Sequence, residues 1–404
     1  MTQRVVFHVG APKTGTTFLQ QVLFANKARL QEQGVLVPGD EWGVHAGAAV
    51  GLRQGPGGRR RIEWRRLLDT LREWPGHTAI VSCEWFSMAS TEQTAEALTE
   101  LQEIGEPHVV ATARDLVDQV PGAWQESLKL GHATPIDEFA AAMDQPKDRW
   151  HWGVLDVAES LERWGAGLPP EQVHVVTLPP RGAPPGTLWD RFATACGIDP
   201  SWCSTDVTFA RESIGVEAAR LLELAGPQLR SAIQTDTGKW NQPYVWIQRY
   251  LAHDMLLAYP GAKITMSDEQ IKAARERSER SIERLRERGY DIVGDLTDLM
   301  SSTLPEGARH PDTVTDAEVF AIASELLPAL LERLPDERRT PVALHLVAET
   351  LGETRGRTYP AKAPVAKAPA AKTPAAGASA PRSRTARRMA RARKIIQRGI
   401  KRLQ

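Results

Sequence analysis

The sequence predicts an α/β fold: a doubly wound, mainly parallel sheet flanked by helices. Three observations carry that expectation. Short β-rich runs at 5–9, 79–82, 108–112 and 173–178 alternate with longer amphipathic stretches, the pattern of buried parallel strands with helices on both faces. The first run passes through a Gly- and Thr-rich turn straight into a helical pattern. With 42% hydrophobic residues in 404, the chain can bury a large core, which excludes global disorder, collagen-like repeats and a disulfide-stapled mini-protein.

In chain order, residues 5–9 form a strand and 10–16 a turn. Residues 17–33 carry helical periodicity in Phe18, Leu19, Val22, Leu23 and Leu30, closed by Gly34. Residues 35–38 read as an edge strand, because Pro38 lacks the N–H that a central strand needs. The Gly-rich stretch 43–61 predicts a mobile loop with a short helix inside. A helix over 62–74, the strand 79–82, a helix over 94–104 and the strand 108–112 follow, the last ending at Ala113-Arg114-Asp115. A helical region runs to Gly131. Then come a helix over 154–164, the strand 173–178 and a helix over 187–196. Further helices are expected over 218–233, 241–257 and 272–288, the last with a charged, solvated face. A turn and short strand at 289–296 close the main domain, residues 1–300. Helices over 314–334 and 342–351 make a helical extension, 301–354. Residues 355–381 are an Ala/Pro/Lys-rich linker expected to be disordered, and 382–404 a basic tail.

Basic and acidic residues number 50 each, but they are partitioned along the chain. Between Ala361 and Gln404 there are 13 Lys and Arg and no Asp or Glu, leaving 37 basic against 50 acidic residues through Pro360. An acidic body with a basic tail behaves differently from a neutral globule. In the tail, Met389, Ala392, Ile396, Ile400 and Leu403 recur at helical spacing among Arg and Lys. That pattern suits an anionic membrane surface, contacted through residues 385–404. Nucleic acid ranks second as a partner, and the acidic body third. Cys83, Cys196 and Cys203 are too few for a disulfide framework and lack zinc-knuckle spacing. They are expected as reduced, partly buried thiols, with no metal. No secretory segment and no apolar run of membrane-spanning length is found, so the chain is expected to be cytoplasmic, peripheral at the inner membrane surface where the tail meets lipid.

The sharpest local signal is Pro12-Lys13-Thr14-Gly15-Thr16-Thr17-Phe18. Between a strand and a helix, successive N–H groups can wrap an anion, Lys13 adds charge, and the threonine hydroxyls add donors. Gly15 allows a close approach that a side chain would hinder. In a Walker A loop the lysine follows the second glycine; here Thr16 follows Gly15, and the lysine comes two residues earlier. Dinucleotide-fingerprint spacing is also absent. Both points weigh against ATPase and dehydrogenase readings.

This segment resembles the 5′-phosphosulfate loop of sulfotransferases that use 3′-phosphoadenosine 5′-phosphosulfate (PAPS). The resemblance implies a P-loop-like fold in which Pro12 opens the loop and Lys13, the backbone of Thr14, Gly15 and Thr16, and the Thr16 and Thr17 hydroxyls hold the 5′-phosphate and sulfonate. It also implies that Phe18 approaches adenine. Arg114, at the end of the 108–112 strand, matches the family's 3′-phosphate arginine. The family usually supplies a serine eight residues later, where this chain has Gly122: the hydroxyl contact is missing, and a backbone N–H is all the position still offers. Segments 120–127, 175–179 with 188–192, 213–215 and 288–296 resemble a bacterial branch of the same family, in the same order. Together the resemblance spans about the first three hundred residues.

Sulfonyl transfer needs an acceptor hydroxyl or amine placed in line, and a base to take its proton. Glu84, just past the 79–82 strand, leads as the base because a strand end can aim a carboxylate at the first loop. His8 and His45 rank below it. Trp124, Gln125, Glu126, Trp42 and Trp85 are candidates for the acceptor wall. The acceptor itself, whether small molecule, glycan or lipid, carries no motif. The expected activity is sulfonyl transfer from PAPS, with 3′,5′-bisphosphoadenosine (PAP) as product and no metal. The alternatives are a P-loop-like kinase and a non-catalytic nucleotide-binding scaffold tethered to a membrane or nucleic acid.

Overall fold

The computed structural model describes residues 4–333 except 56, 146–148, 208–212, 238–243, 260 and 302. The helix expected over 342–351, the linker and the basic tail lie outside the described residues. The strands are β1 (Arg4–Gly10), β2 (Val35–Leu36), β3 (Thr78–Ser82), β4 (Glu106–Ala113), β5 (Val173–Thr177) and β6 (Asp291–Val293). The first helices are α1 (Thr16–Ala25), α2 (Lys27–Glu32), α3 (Gly43–Arg53), α4 (Arg61–Arg72), α5 (Thr91–Gln102) and α6 (Leu116–Lys129). They are followed by α7 (Ile136–Ala141), α8 (Trp152–Leu155), α9 (Val157–Trp164), α10 (Thr187–Cys196), α11 (Val216–Thr237), α12 (Asp268–Arg288) and α13 (Asp316–Arg333).

Every strand pairing is parallel, in the order β2-β3-β1-β4-β5-β6. The chain leaves β1 towards β2 and β3 but leaves β4 towards β5 and β6, so the connections part between β1 and β4. In open α/β sheets the crevice at such a point, beyond the carboxyl ends of the strands, is where ligands bind. Side chains alternate across the sheet as the period of two requires. Val5, Phe7 and Val9 face a core with Trp64, Phe86 and Trp164, whereas Val6, Ile80 and Val110 face Leu19, Leu23 and Phe192. A third core joins α6 to α11 and α13 around Trp124 and Leu222.

Three local expectations are corrected. The single helix expected over 17–33 is two, parted at Asn26. There Nδ2 donates to the carbonyls of Val22 (2.8 Å) and Ser204 (2.9 Å), and Oδ1 accepts from the Ser204 N–H at 2.9 Å. A side chain that competes for backbone partners interrupts a helix without disturbing its apolar periodicity. The Gly-rich stretch 43–61 is mostly helix, because α3 buries His45, Ala46, Ala48, Ala49, Gly51 and Leu52 and packs on α4. Its small residues serve that close packing, since a Cβ on Gly51 would collide with the Arg60 carbonyl oxygen. The helix expected over 154–164 breaks at Asp156, whose buried carboxylate caps α9 through the Ala158 N–H (3.0 Å) and also takes Arg277 Nε at 3.0 Å.

The three cysteines are free and buried, and burial pushes their thiols up. Among the described residues, no helix is long and apolar enough to cross a membrane.

Candidate functional site

Beyond the carboxyl ends of β1, β3, β4 and β5 opens a cleft of about 1220 Å³, larger than most small-ligand pockets. The turn after β1 is built for it. Backbone φ is positive at Gly10 (+87°), at Lys13 (+68°) and at Gly15 (+82°), so the chain curls repeatedly in the left-handed region before α1. The Thr14 hydroxyl points inward, to the Ala11 carbonyl and to Thr112 Oγ1, both at 2.5 Å. Gln119 Nε2 donates to the Pro12 carbonyl at 2.8 Å. Those bonds fix the loop from behind. On its open side, Pro12, Lys13, Gly15, Thr16 and Thr17 line the cleft. No side chain caps the first turn of α1, and an uncapped helix start presents N–H donors and partial positive charge to an anion.

α6 packs against the loop and lines the cleft beside it. Glu126 Oε1 lies 3.1 Å from Lys13 Nζ and 2.8 Å from Lys129 Nζ, and Oε2 accepts from Gln248 Nε2 at 3.2 Å. Burial opposes charge on Glu126, but the two ammonium groups outweigh it and hold the carboxyl down at about 2. One turn earlier, Gly122 packs on the stem of Lys13: a Cβ there would lie 3.5 Å from Lys13 Cε. Arg114, at the end of β4, donates from Nη1 to the Lys13 carbonyl at 3.2 Å, with Nη2 3.5 Å from Asp118. Gln125 holds the 213–215 segment at the cleft, accepting from the Ile214 N–H at 3.1 Å.

Glu84 reaches the cleft from the end of β3. Its approach depends on Gly10, where a Cβ would lie 2.7 Å from Glu84 Cβ. Gln20 Nε2 donates to Glu84 Oε2 at 2.9 Å. Trp42 and Trp85 pack edge to face at 5.2 Å on the same side.

The other candidates fall elsewhere. His8 is buried between β3 and β4, with Nδ1 2.7 Å from Ser82 Oγ and Nε2 3.2 Å from Thr112 Oγ1, and burial drives it down to about 3. His45 is buried in α3 against the backbone of Ser82 and Pro38, and burial takes it to about 4. Neither lines the cleft. Trp124 is a core residue whose Nε1 donates to the Thr134 carbonyl at 2.8 Å, so it is removed from the acceptor wall. Phe18 packs against the core on the α1 side of the sheet rather than lining the cleft.

Sequence reasoning missed Gln20, Arg149, Arg181, Gln248, His253 and Lys263, all of which line the cleft. One of them carries a usable signal. Arg181 follows the β5 strand run closely, and the residues just past strand ends are where such sheets bind ligands. No family model matches the chain, and no curated protein or solved structure matches it either.

Proposed function

We propose that the chain is a sulfotransferase that takes a sulfonyl group from PAPS and passes it to a hydroxyl or amine, releasing PAP. One observation carries the reading. The Lys13 loop and Arg114, 101 positions apart, meet at 3.2 Å and line the same cleft, so the two elements assigned to phosphate groups adjoin one ligand-sized space. The residues fit the donor: an uncapped helix start and Lys13 suit a phosphosulfate, and a guanidinium suits a phosphate monoester. When bound, PAPS supplies a sulfonyl group already activated as a mixed anhydride. Lys13 and the loop N–H groups carry positive charge towards the leaving phosphate. Arg114 binds the 3′-phosphate. Glu84 takes the acceptor's proton on a carboxylate oxygen, and the Trp42–Trp85 wall narrows the acceptor side.

The test is calorimetric titration with PAP and with ATP, on the native chain and on Lys13→Ala. Selective PAP binding, weakened about tenfold or more in Lys13→Ala, is expected. A folded chain that does not prefer PAP to ATP refutes the assignment. The basic tail, on its sequence pattern, is proposed to hold the enzyme at anionic lipid. Truncation after Pro360 should abolish binding to phosphatidylserine vesicles and leave PAP affinity unchanged; retained vesicle binding rejects that role.

A further inference from the structure

The ends of β4 and β5 lie side by side. Ala113 pairs with Thr177, and the Leu178 N–H donates to the Ala113 carbonyl at 2.8 Å. Arg114 and the segment Leu178-Pro179-Pro180-Arg181 therefore leave the sheet at the same lip of the cleft, and all of them line it. Two prolines fix φ in the chain before Arg181, and Gly182 turns left-handed after it at φ +86°. Arg181 is thus presented on a stiff stalk.

Asp118, in the first turn of α6, stands between the two guanidinium groups. Its Oδ1 is 2.7 Å from Arg181 Nη2 and its Oδ2 3.5 Å from Arg114 Nη2. Both carboxylate oxygens are engaged, so one negative charge is set against two positive ones. Each guanidinium carries five N–H donors in a planar fork, more than Asp118 and the Lys13 carbonyl use. An ion pair whose arginine is 53% exposed adds little to stability, and folding alone gives no reason to assemble it at the lip of a cleft.

We propose that Arg114 and Arg181, bracketed by Asp118, form a two-guanidinium site for a phosphate monoester dianion. Paired forks match such a group through several charge-assisted bonds in fixed geometry, and Asp118 leaves the pair a net single positive charge while holding both forks in place. The inference rests on the sulfotransferase reading, in which this anion is the 3′-phosphate of the donor. Arg181 is then the residue that separates a 3′,5′-bisphosphate from a 5′-monophosphate.

The experiment compares PAP with adenosine 5′-monophosphate by calorimetry on the full chain, as native protein, Arg181→Gln and Arg181→Lys, with pyrophosphate as a third ligand. Arg181→Gln should weaken PAP binding about 10- to 100-fold and leave the 5′-monophosphate unchanged, with Arg181→Lys in between. Equal loss for both nucleotides would overturn the specificity role, and unchanged PAP affinity would overturn the site. If the native chain binds neither nucleotide, the donor reading fails by itself. The anion site is then judged on pyrophosphate: weaker binding in Arg181→Gln upholds it, and equal binding overturns it. Arg181 is exposed enough that melting temperatures should stay level across the series, which separates lost binding from lost fold.

Discussion

At the carboxyl ends of the strands, Lys13, Glu84, Arg114 and Arg181 face an open cleft. At the amino ends of the same sheet, Arg4, His108, His174 and Asp291 close on one another instead. The two imidazoles stack at 5.2 Å with His108 Nδ1 2.9 Å from His174 Nε2. His174 Nδ1 lies 2.7 Å from Asp291 Oδ2, and Arg4 Nη2 lies 3.3 Å from His174 Nε2. Neutral rings fit these contacts, with His174 donating to Asp291 and accepting on Nε2. Burial, ahead of the nearby Arg4 charge, drives His108 to about 3; burial also lowers His174, despite its Asp291 partner. Both clusters are held by bonds to neighbouring side chains. What separates them is that one closes on itself and the other lines a ligand-sized space.

If that division is right, the largest effect on chemistry comes from the cleft end. Glu84→Gln keeps the shape and the Gln20 contact but removes the proposed base. Turnover should fall about 10²- to 10⁴-fold with PAP affinity intact, measured by a transfer assay beside calorimetry. Full turnover would reject Glu84 as the base. Gly10→Ala comes next. It places a Cβ 2.7 Å from Glu84 Cβ at φ +87°, and an L side chain strained in that region costs about 1–3 kcal/mol. Both the melting temperature and turnover should drop; an unchanged melting temperature would contradict so tight a contact between the loop and Glu84.

Much of the first loop was legible because its conformation is local. Gly10 and Gly15 sit where positive φ is needed, and Lys13 stands between them. The parallel sheet was legible too, since strands buried on both faces leave continuous apolar runs. What escaped the sequence depends on long-range partners. Nothing near Asn26 signals that Ser204 will end its helix, and nothing near Trp124 signals a place in the α6–α11 core rather than the cleft. Gly43 to Arg53 misled for a related reason. Small residues mark a loop or a close helix contact equally well, and only α4, with Arg60 against Gly51, decides between them.

Buried histidines should make stability depend on pH at both ends of the sheet: His108 at the amino ends, and His8 and His45 near the carboxyl ends. His8 and His108 are held near 3 and His45 near 4, below the ordinary 6.5. The unfolded chain therefore binds protons that the folded chain refuses. Their stabilisation is complete above pH 6.5 and is lost as pH falls, down to about 4 for His45 and about 3 for His8 and His108. Glu126, held at about 2, adds a loss of the same sign only below about 4.5. Urea denaturation at pH 7 and pH 5 measures the slope. His108→Gln should flatten it by less than one proton, under about 1.4 kcal/mol per pH unit because solvent at the strand ends screens the charge. PAP affinity should be untouched. A steeper slope, or weaker PAP binding, would mean that the two ends are not separate.

The smallest effect tests the finest distinction, between a glycine that the fold requires and one that it merely carries. Gly122 lies within α6, and a Cβ there would meet Lys13 Cε at 3.5 Å and Cβ and Cγ at 3.6 Å, ordinary contacts. Unlike Gly10, it has no positive φ to satisfy. Gly122→Ser should therefore raise stability by about 0.5 kcal/mol, the helix-propensity gain over glycine. It also sets a hydroxyl beside the Lys13 stem, on the wall where the resemblance to sulfotransferases implies a serine contact to the 3′-phosphate. PAP should bind a few-fold tighter, about 1 kcal/mol for one added hydrogen bond, and adenosine 5′-monophosphate should not. If both nucleotides bind more weakly in a stable protein, the glycine is keeping space that the ligand or the Lys13 side chain needs. The hydroxyl would then have no place in this cleft.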